Sequence, residues 1–137
     1  MKKILIFLTL NFFLISNSNA EWTFLQNIES EHPGKFYTDI KTLKKDGDYI
    51  YIWTMQDLDK GMVGMDETGA MAVYSVKEFN KIDCKLNRIE KLQYVFYSGN
   101  MGTGKVKNYQ KDKQEWLYYP PGTMMGEFIN SICKNFN

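Results

Sequence analysis

Apolar and polar residues alternate along much of the chain in runs of strand length, and turn-forming residues separate the runs. Trp22 to Ile28 is the first run, closed by a polar stretch that ends in His32-Pro33-Gly34. Lys35 to Leu43 follows, rich in aromatic and β-favouring residues, and Asp46-Gly47 signals a tight turn. The clearest strand is Asp48 to Met55. Tyr49, Tyr51, Trp53 and Met55 fall on one face and Ile50, Ile52 and Thr54 on the other, which predicts cover on both sides. Residues 57–69 hold three glycines and four acids and predict an exposed loop. Met71 to Phe79 alternates again. Lys85 to Tyr97 resumes the pattern and ends in the β-rich Tyr94-Val95-Phe96-Tyr97. Gly99 to Gly104 makes a glycine-rich turn, Lys105 to Tyr109 returns as a hairpin partner, and Trp116 to Tyr119 is a short aromatic segment stopped by Pro120-Pro121.

The period then changes. Met124, Phe128, Ile132 and Phe136 recur every four residues, Met125, Ile129 and Cys133 form the adjacent stripe, and Gly122-Thr123 supplies an N-cap. The result is an α+β fold, an antiparallel β-sheet packed against one C-terminal α-helix. No repeat, low-complexity run or linker divides residues 21–137, which predicts one domain.

The first twenty residues have another character. Lys2-Lys3 precede an apolar stretch from Ile4 to Ile15, and Ser18-Asn19-Ala20 places small residues where a signal peptidase cuts. Residues 1–20 therefore predict a signal peptide and residues 21–137 the exported domain. A buried N-terminal helix is the plainer alternative. No cysteine lies near the cut to carry a lipoprotein anchor, and no later segment is apolar for long enough to cross a membrane. The expected destination is the periplasm, the cell surface or the medium, where disulfides persist. Two cysteines permit one connectivity, so a Cys84–Cys133 bridge is the simplest reading. A redox-active pair is the sharper one, but no Cys-x-x-Cys is present.

Motifs that imitate catalytic or metal chemistry each fail on a named residue. Gly99 to Lys105 completes G-x-x-x-x-G-K, but Val106 stands where a Ser or Thr hydroxyl should hold magnesium, and residues 106–115 lack a helical apolar period. Asp57-Leu58-Asp59 opens like a calcium loop, yet Gly61 and Thr68 stand where that loop needs a ligand and its bidentate Glu. His32, the single histidine, sits in a turn with no serine elbow or triad acid beside it. Asp66-Glu67 has nothing apolar nearby to tune a carboxylate for acid–base work. Neither catalysis, a cofactor nor a metal site is expected.

Charge adds something the total conceals. The 137 residues carry 17 Lys+Arg and 16 Asp+Glu, a balance that gives no reason to expect nucleic acid. Residues 21–84 hold 12 acids and 7 bases, whereas residues 85–113 hold Lys85, Arg88, Lys91, Lys105, Lys107, Lys111 and Lys113 against Glu90 and Asp112. Such a basic hairpin, interleaved with Tyr94, Phe96, Tyr97 and Tyr109, is a candidate patch for acidic protein partners or polyanions. Lysines that merely protect sheet edges are the plainer account.

The order of landmarks carries a resemblance. Phe36-Tyr37-Thr38-Asp39 follows the strand at Trp22, then Tyr51-Ile52-Trp53, Ser75-Val76-Lys77 and Ile82-Asp83-Cys84. Tyr97-Ser98-Gly99-Asn100-Met101-Gly102-Thr103-Gly104, Trp116, Pro120-Pro121-Gly122-Thr123 and Ile132-Cys133 complete the series. This resembles the surface-adhesin protein E family of Gram-negative bacteria over nearly all of residues 21–137. The resemblance implies a disulfide between helix and sheet at Cys84 and Cys133. It also implies a non-enzymatic role in binding host matrix or plasma glycoproteins, or another envelope protein, and a tendency to dimerise. A periplasmic inhibitor of a lysozyme-like enzyme is the alternative, since Ser98-Gly99 begins like an inhibitory S-G-x-x-Y loop, although Gly102 replaces its tyrosine.

Overall fold

The computed structural model describes residues 20–66, 69–110 and 113–136, so the expected signal peptide lies almost wholly outside the described residues. Strands β1 (Thr23–Ile28), β2 (Gly34–Asp46), β3 (Tyr49–Asp66), β4 (Gly69–Asp83), β5 (Arg88–Tyr97) and β6 (Val106–Tyr109) follow one another in sequence order across one antiparallel sheet. The two-residue β7 (Trp116–Leu117) pairs with β5 at Ile89 and Glu90. Helix α1 (Met124–Phe136) ends the described chain.

Each connection follows from local chemistry. Asp46 pairs with Tyr49, leaving Gly47-Asp48 as the tight turn, with Gly47 at a φ of 58°. Between β4 and β5, Asp83 Oδ1 accepts the backbone N–H groups of Lys85 and Leu86, both at 3.1 Å. Thr123 caps α1: its Oγ1 accepts the Gly126 N–H at 3.2 Å, and Glu127 Oε1 accepts the Gly122 N–H at 2.9 Å.

The helix buries Met125, Phe128, Ile129 and Ile132 on Phe36, Ile50, Ile52, Ile82 and Ile89 of the sheet. Phe36 and Phe128 meet edge to face with centroids 5.4 Å apart. Cys133 is bonded to Cys84, which ties the helix to the end of β4 as expected.

Two expectations need correction. Residues 57–66 are not a loop, and Glu67 and Thr68 lie outside the described residues. β3 continues to Asp66 and β4 begins at Gly69, paired from Met62 opposite Val73 to Asp66 opposite Gly69 after a bulge between Asp57 and Met62. Gly61 and Gly64 mark side chains pressing on the strand. A Cβ at Gly61 would lie 2.7 Å from the Tyr74 ring, and one at Gly64 would lie 3.1 Å from Val73. The second correction concerns the faces of β3. Ile50, Ile52 and Thr54 are sealed under the helix side, but Tyr49, Tyr51 and Trp53 remain half-buried on the opposite face.

Candidate functional site

The face opposite α1 is built by register. Tyr49, Tyr51, Trp53 and Met55 of β3 stand opposite Asp83, Lys81, Phe79 and Lys77 of β4, respectively. Side chains of period two on paired strands share a face, so the rings collect into a continuous layer. Trp53 stacks on Phe79 with centroids 5.0 Å apart, and Tyr51 lies 6.0 Å from the same ring. Tyr49 stacks on Trp116 of β7 at 6.0 Å.

Cations thread this layer. Lys81 Nζ lies 4.2 Å from the Tyr49 centroid and 5.3 Å from that of Trp116, while the Arg88 guanidinium covers Trp116 at 4.2 Å. Lys77 Nζ sits 4.8 Å from the Tyr97 centroid and 5.4 Å from that of Trp22. Ring faces attract cations, so the ammonium groups are held without full burial. Arg88 is fixed further by Asp83, Nε to Oδ2 at 2.9 Å, and by Tyr118 Oη at 3.3 Å. Burial works to raise the Asp83 pKa, but the Leu86 N–H, the Arg88 guanidinium and the Lys85 N–H outweigh it and hold the carboxyl below the ordinary aspartate value.

One end of this face is closed by the glycine-rich loop. Asp57 Oδ1 accepts the Met101 N–H at 2.6 Å and the Asn100 side-chain amide at 3.2 Å. Ser75 Oγ donates to the Gly99 carbonyl at 2.6 Å and accepts the Gly102 N–H at 2.9 Å. Met101 is thereby held at a φ of 53°, with its side chain 41% exposed. The loop resembling a phosphate cradle spends these amides on its own sheet. Asp57, the first acid of the calcium-loop resemblance, is one of its anchors. Among the described residues, no three His, Cys, Asp or Glu side chains converge as metal ligands.

The six described basic residues of the sequence-predicted patch do not form one surface. Lys85 and Arg88 lie at the disulfide end of β5, whereas Lys105 and Lys107 lie at the other end, where Tyr97 pairs with Val106. Ten residues of strand separate the two ends by about 30 Å. Lys91 is internal. Its side chain is 14% exposed and its Nζ lies 3.1 Å and 3.0 Å from the two oxygens of Glu78, itself 4% exposed. Burial disfavours the Lys91 charge, yet the Glu78 carboxylate more than offsets it and raises the ammonium above its usual value. Lys107 Nζ donates to the Gly69 carbonyl at 3.1 Å, Lys113 is exposed, and Lys111 lies outside the described residues. Sequence reasoning missed the aromatic face, although Tyr-x-Tyr-x-Trp in β3 and the alternation Lys77-x-Phe79-x-Lys81 in β4 are signals that could have marked it; its link to Trp22 has none.

Comparison with known proteins agrees with the fold. The model of the surface-adhesin protein E family matches residues 22–134. The chain belongs to the surface-adhesin protein E family. Among solved structures it is similar to Haemophilus influenzae protein E, at 19% identity and a TM-score of 0.63 over 82% of this chain and 85% of that one. Protein E from non-typeable Haemophilus influenzae gives 18% identity and a TM-score of 0.64, covering 87% of this chain and 80% of the other. At these identities the likeness to protein E carries the fold. No curated protein matches the chain by sequence. Among the described residues of this protein E relative, no helix is long and apolar enough to cross a membrane.

Proposed function

We propose that the protein is an exported, non-catalytic binding domain that engages a host glycoprotein or another envelope protein through the sheet face opposite α1. The observation that carries this reading is the asymmetry of the sheet. One face is sealed by the helix, while the other leaves Tyr49, Tyr51, Trp53, Phe79 and Trp116 half-buried with Lys77, Lys81 and Arg88 among them. Aromatic rings and arginine are enriched in protein interfaces, the rings because they bury much area with few rotatable bonds and arginine because its planar guanidinium makes several hydrogen bonds and stacks on rings. Family membership supports adhesion as the role, and the exposure of His32, in a turn where its backbone N–H and carbonyl bond Ser30 Oγ, fits a role without acid–base catalysis.

Export and binding are tested separately. Cell fractionation with protease shaving of intact cells should recover a processed chain beginning at Glu21 outside the cytoplasm, and an unprocessed cytoplasmic chain contradicts export. Purified protein should bind immobilised plasma, matrix or envelope glycoproteins saturably, and heat-denatured protein should not. Inhibition of lysozyme without such binding would favour the inhibitor reading instead.

A further inference from the structure

Near the centre of the same face, a hollow of about 260 Å³ opens to solvent between β2, β3, β4 and the segment leading into β1. Trp22, Trp53 and Tyr97 line it with aromatic surface, Asp39, Thr42 and Lys77 supply its polar groups, and Ala20, which the proposed cleavage before Glu21 removes, borders it. Two of those groups are unusual for a sheet surface. Asp39 is 1% exposed, and its Oδ1 accepts the Lys41 N–H at 3.1 Å, while its other oxygen accepts no hydrogen bond from a described residue. A carboxylate this buried is ordinarily paired. Lys77 is held by the Trp22 and Tyr97 rings, and among the described residues it makes neither an ion pair nor a hydrogen bond. Its seat is shaped by Gly102, where a Cβ would come within 2.6 Å of Lys77 Cε and Nζ. The hollow thus presents an acceptor with capacity to spare, a donor with capacity to spare, and flat apolar walls.

We infer that this hollow is a subsite for one neutral saccharide ring, the end residue of a glycan. The charges select it: an acidic ligand meets Asp39, a cationic one meets Lys77, and a ring bearing neighbouring hydroxyls satisfies both by donating to the carboxylate and accepting from the ammonium. The walls select it too. The polarised C–H face of a pyranose complements the negative face of an aromatic ring, as a cation does more strongly. The volume is below the range usual for drug-sized ligands and suits a single ring. This inference rests on the binding role proposed above and names the part of a glycoprotein that the face would read.

The purified protein is titrated with the methyl glycosides of glucose, galactose, mannose and N-acetylglucosamine, and separately with glucuronic acid and free glycine. The indole N–H signals of Trp22 and Trp53 are followed by NMR. At least one neutral glycoside should shift both signals saturably at millimolar concentration. Trp22→Ala and Lys77→Met should each weaken that binding by about tenfold, a hot-spot-sized effect, without changing the melting temperature by more than a few degrees. Trp22 precedes β1 and Lys77 makes no ion pair, so neither change disturbs the core. The inference is overturned if no neutral glycoside shifts the signals in the tens of millimolar. It is equally overturned if only the acid or glycine does, or if both variants bind as the parent does. Glycoprotein binding that survives enzymatic removal of the partner's glycans would defeat the subsite and leave the binding role standing. Saturable sugar binding with no glycoprotein bound would do the reverse.

Discussion

Cys84 and Cys133 are bonded with their Cα atoms 5.5 Å apart, so the end of β4 and the last turns of α1 cannot separate while the bridge is intact. The bond closes a chain segment of 49 residues, for which loop-closure entropy contributes about 4 kcal/mol. The Cys84→Ala/Cys133→Ala double variant should therefore lose most of that stability in urea denaturation, and a reductant should destabilise the parent but leave the variant unchanged. Equal stability with and without the bridge would contradict a structural role.

Lys91 and Glu78 form the ion pair most removed from water among the described residues. Lys91→Met leaves the Glu78 carboxylate buried without its cation, with the Gln56 side-chain amide at 3.3 Å as its one remaining side-chain donor among the described residues. The single variant should lose about 3–5 kcal/mol, whereas Lys91→Met/Glu78→Met should recover most of it. A double-mutant cycle in urea measures the coupling. Additive effects would show that the two side chains do not depend on each other.

Asp83 sets an acid limit on stability. Its folded pKa lies below the ordinary 3.8, so it contributes stability above that value and loses it as pH falls through the folded value. Denaturation midpoints measured from neutral pH down to about pH 3 should fall less steeply for Asp83→Asn than for the parent. The variant should also be less stable at neutral pH, because the Arg88 pairing is weakened. Parallel curves would remove Asp83 from the acid response.

Asp57 holds the glycine-rich loop through two donors on one oxygen. Asp57→Ala should speed amide exchange at Met101 and Gly102 by tenfold or more, since a hydrogen bond to a charged group is worth about 1.5–3 kcal/mol. Exchange in β2 should not change. Unaltered protection at Met101 would mean that Ser75, together with the Ser98 N–H donating to the Lys105 carbonyl at 2.9 Å and the Lys105 N–H donating to Ser98 Oγ at 2.8 Å, suffices to hold the loop.

Much of the fold was legible because hydrophobic period reports directly on burial. The strand at Tyr49–Met55, the Gly47-Asp48 turn, the Thr123 cap and the Met125–Phe128–Ile129–Ile132 helix face all follow from residues near one another in sequence. The distal half of the β3–β4 hairpin was not legible. Gly61 and Gly64 have the composition of a loop, and their reason lies in Tyr74 and Val73 on the next strand. The placement of the basic residues was not legible for a similar cause. Charge counted along residues 85–113 cannot tell that Lys91 turns inward to Glu78 while Lys85 and Lys105 stand at opposite ends of β5. Asp39 and Trp22 meet across one hollow only because the segment before β1 lies over the sheet.

The central claim is that the open aromatic face, rather than the lysines of the β5–β6 hairpin, contacts the partner. Its most direct test is surface plasmon resonance against one glycoprotein that the parent binds. Trp116→Ala and Lys81→Glu are compared with the triple variant Lys105→Glu/Lys107→Glu/Lys113→Glu. The face variants should each weaken binding by about tenfold or more, and the hairpin variant by less than about threefold with a changed salt dependence. The opposite ranking, with binding lost in the hairpin variant and kept in both face variants, would contradict the account.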